Sequence, residues 1–130
     1  NIQLSKFMFE KDNKLFLDLT NKMKRIMLVI EKNGRILNLN QYAYEFHEWN
    51  DHISVIGQNY MELCQQSKLN VSHIIERIPL VFRGLTINKL EISVKKHDID
   101  YFLLFDAISL NENASLIIAE DITSIKLKEL

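Results

Sequence analysis

The sequence predicts an α+β domain: a five-stranded antiparallel sheet with short helices on one face and a flanking helix at the N-terminus. Three observations predict it. Apolar residues recur at helical spacing before Ile26, and the period then changes to short, nearly continuous apolar runs. Asn33-Gly34 stands between two such runs, the strongest short-range hairpin signal, because both residues tolerate positive φ. After a helical middle, three strand-like runs close the chain, an order satisfied by one antiparallel sheet with its helices on one side.

Taken in order, residues 4–23 read as a helix in which Phe9, Phe16 and Met23 recur every seven residues while Leu19 and Ile26 fill in. Asp12-Asn13 weakens that seam in the middle. The stripe can dock on the domain's own sheet or pair with the same helix of a second copy. Residues 26–30 and 36–39 form the hairpin strands. From Gln41 to Asn70 no strand is expected: Tyr42, Phe46 and Trp49, then Val55, Tyr60 and Leu63, suit short helices, with Asn40 capping the first and Asn59 the third. A longer helix begins near Val71 and Ser72 and ends at Gly84, with a kink or break at Pro79. Leu90, Ile92 and Val94 then alternate with Glu91, Ser93 and Lys95, and Lys96-His97-Asp98 supplies a turn. Residues 101–110 and 114–122 are apolar at both parities, so both faces of the sheet need cover, by the N-terminal helix or a partner subunit. The charged residues 126–130 begin another helix.

Composition excludes several classes of function. The chain has 130 residues, 47% hydrophobic, enough for a single core. Sixteen basic and 17 acidic side chains leave a formal charge of −1, which argues against nucleic acid or an anionic membrane as a partner. A lone cysteine, Cys64, permits neither an internal disulfide nor a multi-cysteine zinc site and suits the reducing cytoplasm. No apolar run approaches the roughly 20 residues needed to span a bilayer. A cytoplasmic domain is expected, either free or as the cytoplasmic part of a membrane-anchored sensor.

Read with its local sequence, the element order resembles the PAS family over about residues 26–125. Residues 26–40 look like the family's opening hairpin, ending in asparagine, and Ala43-Tyr44-Glu45-Phe46 sits where the family has its first short helix. Ile56-Gly57-Gln58-Asn59-Tyr60 resembles the stretch that introduces the next helix. Glu120-Asp121-Ile122-Thr123 is the most specific match, because the last PAS strand commonly ends in Asp-Ile-Thr before an output helix. The resemblance implies a flanking or dimerisation helix at residues 1–25, a sensory domain at 26–123 and the start of an output helix at 124–130. It further implies a homodimer that senses a small molecule or partner. Asp121, Ile122 and Thr123 would relay the signal to an output domain such as a histidine kinase or diguanylate cyclase, and Thr123 is suited to cap the outgoing helix. The alternatives are a ligand-free dimerisation module and a haem or flavin sensor.

Chemistry-bearing residues are sparse, and no catalytic role is expected. The serines lack a nucleophile-elbow context, and Gly34, Gly57 and Gly84 stand too far apart for a phosphate cradle. His47 and His52, five apart, do not share a helical face and read as surface histidines, as does His97 in its turn. His73 falls about where haem-binding PAS domains carry their axial ligand, yet only Arg77 and Arg83 are near in sequence for propionates. Tyr60 occupies the position of the flavin-reactive cysteine in the photosensory branch, and Cys64 reads as a small core residue. Neither haem nor flavin is therefore expected, nor a bound metal. Tyr42, Phe46, Trp49 and Tyr60 could line an aromatic pocket, with His73 and Asp106 as polar additions. The sequence leaves open the face of the sheet on which Asp106 lies.

Overall fold

The structure, a computed structural model, describes residues 14–15, 17–49 and 54–129; Phe9, Phe16 and His52 lie outside them. Helical backbone at residues 17–22 (α1) leads into β1 (Ile26–Glu31) and β2 (Ile36–Leu39). There follow α2 (Gln41–His47), α3 (Tyr60–Gln66), β3 (Leu69–Asn70), α4 (Ser72–Ile75) and α5 (Ile78–Phe82). The chain closes with β4 (Ile87–Lys96), β5 (Ile99–Ser109), β6 (Ala114–Asp121) and α6 (Thr123–Lys128). All strands join one antiparallel sheet in the order β2-β1-β6-β5-β4-β3.

The sheet thus has six strands where five were expected. The extra strand, β3, is two residues long and pairs Leu69 with Lys96 and Asn70 with Lys95. So short a segment carries no alternation, and pairing with the end of β4 alone makes it a strand.

The inner face carries Leu28 and Ile30 from β1, Ile92 and Val94 from β4, Leu103 and Phe105 from β5, and Ile117 from β6. Ala43, Leu63, Ile74 and Val81 from α2–α5 complete the same core. Phe105 has no exposed surface, a burial that contributes about 2–3 kcal/mol. The second face is partly covered as well: Met27 and Val29 are buried, and Leu104, Leu116 and Ile118 are half-buried. Asp106 lies on this outer face, where its Oδ1 accepts from the Lys89 amide at 2.9 Å beside a bulge in β4.

Pro79 breaks the expected long helix into α4 and α5, and stands in the first turn of α5, where its missing N–H costs nothing. Gly84, at φ +100°, ends α5 while the Leu85 amide returns to the Leu80 carbonyl at 3.1 Å. At the first hairpin Gly34 takes φ +90°, and a Cβ there would stand 3.0 Å from the Asn59 side-chain nitrogen. The glycine lets the loop press onto the start of α3, and the Gly34 carbonyl accepts from the Tyr60 amide at 2.9 Å.

A groove between two helices and a buried polar chain

Tyr60 opens α3 because Asn59 caps it, the Asn59 side chain accepting from the Glu62 amide at 3.1 Å. One helical turn later Cys64 lies on the same face, and both side chains are buried. Between α3, β3 and α4 lies a cavity of about 440 Å³, within the range of small-molecule sites. Met61, Cys64, Leu69, Val71 and Ile75 give it apolar walls, and Lys68 and Glu76 are the charged residues that line it. A smaller cavity of about 200 Å³ continues past Met61 and Ile75 toward Tyr60 and Pro79.

Behind the Cys64 wall runs a line of buried polar groups. The Cys64 thiol lies on the same buried face of α3 as Tyr60 and interacts electrostatically with it. The Tyr60 hydroxyl lies 2.9 Å from His47 Nε2, and His47 Nδ1 lies 2.7 Å from the Ala43 carbonyl. A carbonyl can only accept, so Nδ1 carries the proton and Nε2 accepts from Tyr60. Burial lowers the His47 pKa to about 4, with the Lys96 ammonium adding to the effect and the Ala43 carbonyl opposing it, so the ring is neutral at pH 7. Burial likewise pushes the Cys64 thiol up to about 12, the Tyr60 hydroxyl partly offsetting it, and leaves no thiolate for chemistry. Trp49 stacks on the His47 ring with centroids 4.2 Å apart, its indole N–H unpartnered among the described residues.

His47 is therefore a core residue and not the surface histidine that the sequence suggested. The relevant spacing is that of the cap Asn40 with Ala43 and His47, at three and four residues, which are buried on one side of α2. His97, in contrast, is exposed in the β4–β5 turn and bonds Glu48 at 2.6 Å.

The six residues expected to line a pocket do not form one. Tyr60 borders the smaller cavity, and Trp49 is packed against His47. Tyr42 and Phe46 line a separate cavity of about 300 Å³ with Lys24, Lys96 and Asp121. There the Lys96 ammonium lies 4.5 Å above the Phe46 ring and 4.6 Å from the Tyr101 centroid. His73 is exposed and borders a small polar groove with Ser93 and Asp100, and Asp106 is on the far side of the sheet. Among the described residues no cluster of three or more His, Cys, Asp or Glu side chains could hold a metal. Nor is any described helix long and apolar enough to cross a membrane.

Where β6 ends, the Ile122 amide donates to the Phe102 carbonyl at 2.9 Å and Thr123 Oγ1 accepts from the Phe102 amide at 3.0 Å. Thr123 is not the cap of α6 as expected. The cap position is Ile122, and Asp121 Oδ1 instead accepts from the Thr123 amide at 3.0 Å and from its hydroxyl at 2.5 Å. The Ile122 amide stays paired with the Phe102 carbonyl, and the helix starts at Thr123, one residue earlier than a Thr123 cap would place it.

No family model matches the sequence, and no curated protein is significantly similar to it. Solved structures do match. The PAS domain of the Cronobacter turicensis quorum-sensing receptor RpfR, in complex with C12:0, superposes with a TM-score of 0.59 at 21% identity over 77% of this chain and 95% of its own. The PAS domain of Bordetella pertussis BvgS gives 0.62 at 17% identity, covering 92% and 93% of the two chains. A PAS domain from a two-component sensor histidine kinase gives 0.59 at 9% identity, over 90% and 98%. Together with the sheet order and the helices on its inner face, these superpositions establish that the chain has the PAS fold.

Proposed function

We propose that this chain is a cytoplasmic, non-catalytic PAS sensory domain that takes an apolar small molecule with an anionic head between α3 and α4. The carrying observation is the cavity of about 440 Å³, apolar along Met61, Leu69, Val71 and Ile75, with Lys68 and Glu76 as the charged residues of its lining. The C12:0 bound by the RpfR domain supports a fatty acid as ligand, and the sensor-kinase neighbour supports a kinase-type output. His73, exposed and bordering another groove, favours a sensor without haem, and Tyr60, bonded to His47, one without flavin. The relay to the output segment runs through Asp121, Ile122 and Thr123.

Dodecanoic acid tests the ligand reading. At about 100 times its dissociation constant a ligand stabilises by about 2.7 kcal/mol, which raises the melting temperature by several degrees. Met61→Trp, at an exposed wall position, abolishes that rise without lowering the melting temperature of the free protein. No rise in the unmodified protein at a concentration that saturates other fatty-acid sensors contradicts the proposal.

Leu15, Leu19 and Met23, four residues apart and each at least half exposed, favour a second property, a homodimer through α1. Leu19→Glu is expected to convert a dimer to a monomer in sedimentation velocity. A unmodified chain already monomeric at high micromolar concentration removes this reading.

A further inference from the structure

The polar chain behind the cavity wall does not stop at α2. Ala43, whose carbonyl accepts from His47, donates its own amide to Asn40 Oδ1 at 3.1 Å. The same Oδ1 accepts from the Met27 amide at 3.1 Å. Asn40 Nδ2 donates to the Thr20 carbonyl at 3.1 Å and to the Arg25 carbonyl at 2.7 Å. One fully buried amide thus spends both donors and both acceptor positions on α1, the α1–β1 connection, β1 and α2.

We infer that His47 and Asn40 are positioning residues that join the cavity wall to the N-terminal flank through Cys64, Tyr60, His47, Ala43, Asn40 and then Thr20, Arg25 and Met27. The direction of donation is fixed at each side-chain step from Tyr60 onward. Tyr60 gives its proton to Nε2, Nδ1–H gives to the Ala43 carbonyl, and Asn40 holds the strand start and the end of α1. Each bond polarises the next in this low-dielectric interior, and all but the bond to the Arg25 carbonyl are buried, so a displacement at one member is passed on rather than absorbed. An occupant of the α3–α4 cavity presses on Cys64 and, through Tyr60, on α2 and the α1–β1 connection. The trigger rests on the ligand reading above, whereas the coupling itself is a property of the free protein.

Amide hydrogen exchange of the unliganded protein tests the coupling without any ligand. Tyr60→Phe removes only the hydroxyl that links Cys64 to His47. Exchange at the Met27 and Ala43 amides, both held by Asn40, is expected to accelerate about tenfold relative to Phe105 in the core of β5. Cys64→Ala, at the cavity end of the chain, is expected to move the same two amides in the same direction, and it carries the test should Tyr60→Phe fail to fold. A merely structural role of the hydroxyl lowers protection evenly. If Met27 and Ala43 stay within about twofold of the unmodified protein, or Phe105 accelerates by the same factor, the inference is overturned. Dodecanoic acid binding in the same variant is scored separately, so loss of the coupling and loss of the ligand site are told apart.

Discussion

Two junctions tie the ends of this domain to its sheet, and they are built oppositely. At the N-terminal junction Asn40, with no exposed surface, makes four bonds to backbone groups of α1, β1 and α2. At the C-terminal junction Asp121 is exposed and Thr123 half-buried, and their bonds to each other and to Phe102 lie within reach of water. Removing a buried partner leaves orphaned groups, whereas water can replace an exposed one. The first junction is therefore a fixed strut, and the second an adjustable corner suited to coupling.

The largest expected effect is at the strut. Asn40→Ala removes four side-chain bonds at once, three of them buried, and should cost about 3–5 kcal/mol in denaturant unfolding. A loss under about 1 kcal/mol would mean that water enters the junction and would break the comparison.

Acid gives the next effect. Burial lowers His47 to about 4 in the folded protein, against 6.5 for an ordinary histidine, so the unfolded chain takes up the proton first. Its contribution is complete above about pH 6.5 and is lost as pH falls toward 4, by up to about 3 kcal/mol. His47→Gln removes this part of the slope, and equal slopes in the variant and the unmodified protein between pH 7 and 4.5 would refute the burial argument.

The smallest effect sharpens the other side. Thr123→Ala and Asp121→Ala should each cost about 1 kcal/mol, with Thr123→Ser recovering most of it, while the response of the full-length host's output to stimulus is lost. Variants that respond to stimulus like the unmodified host would reduce the corner to a linker.

Legibility followed the range of the interactions involved. The hairpin at Gly34, the caps Asn40 and Asn59, the break at Pro79 and the β4–β5 turn are set by neighbours within a few residues, and all were readable. The strand β3 was not, because only the pairing of Leu69 with Lys96 and of Asn70 with Lys95, distant in the chain, defines it. The site was less legible still. His47 meets Tyr60 across 13 residues, and Asn40 meets Thr20 across 20. The aromatic residues that suggested a single pocket are divided by the fold between the core and two separate cavities.

The central claim is that the space between α3 and α4 receives an apolar ligand. A ¹H–¹⁵N titration of the unmodified protein with dodecanoic acid tests it most directly. The account predicts saturable shifts at the amides of Met61, Cys64, Leu69, Val71 and Ile75, followed by Met27 and Ala43. Shifts confined to the exposed stripe of Leu15, Leu19 and Met23, or none at all, would contradict it.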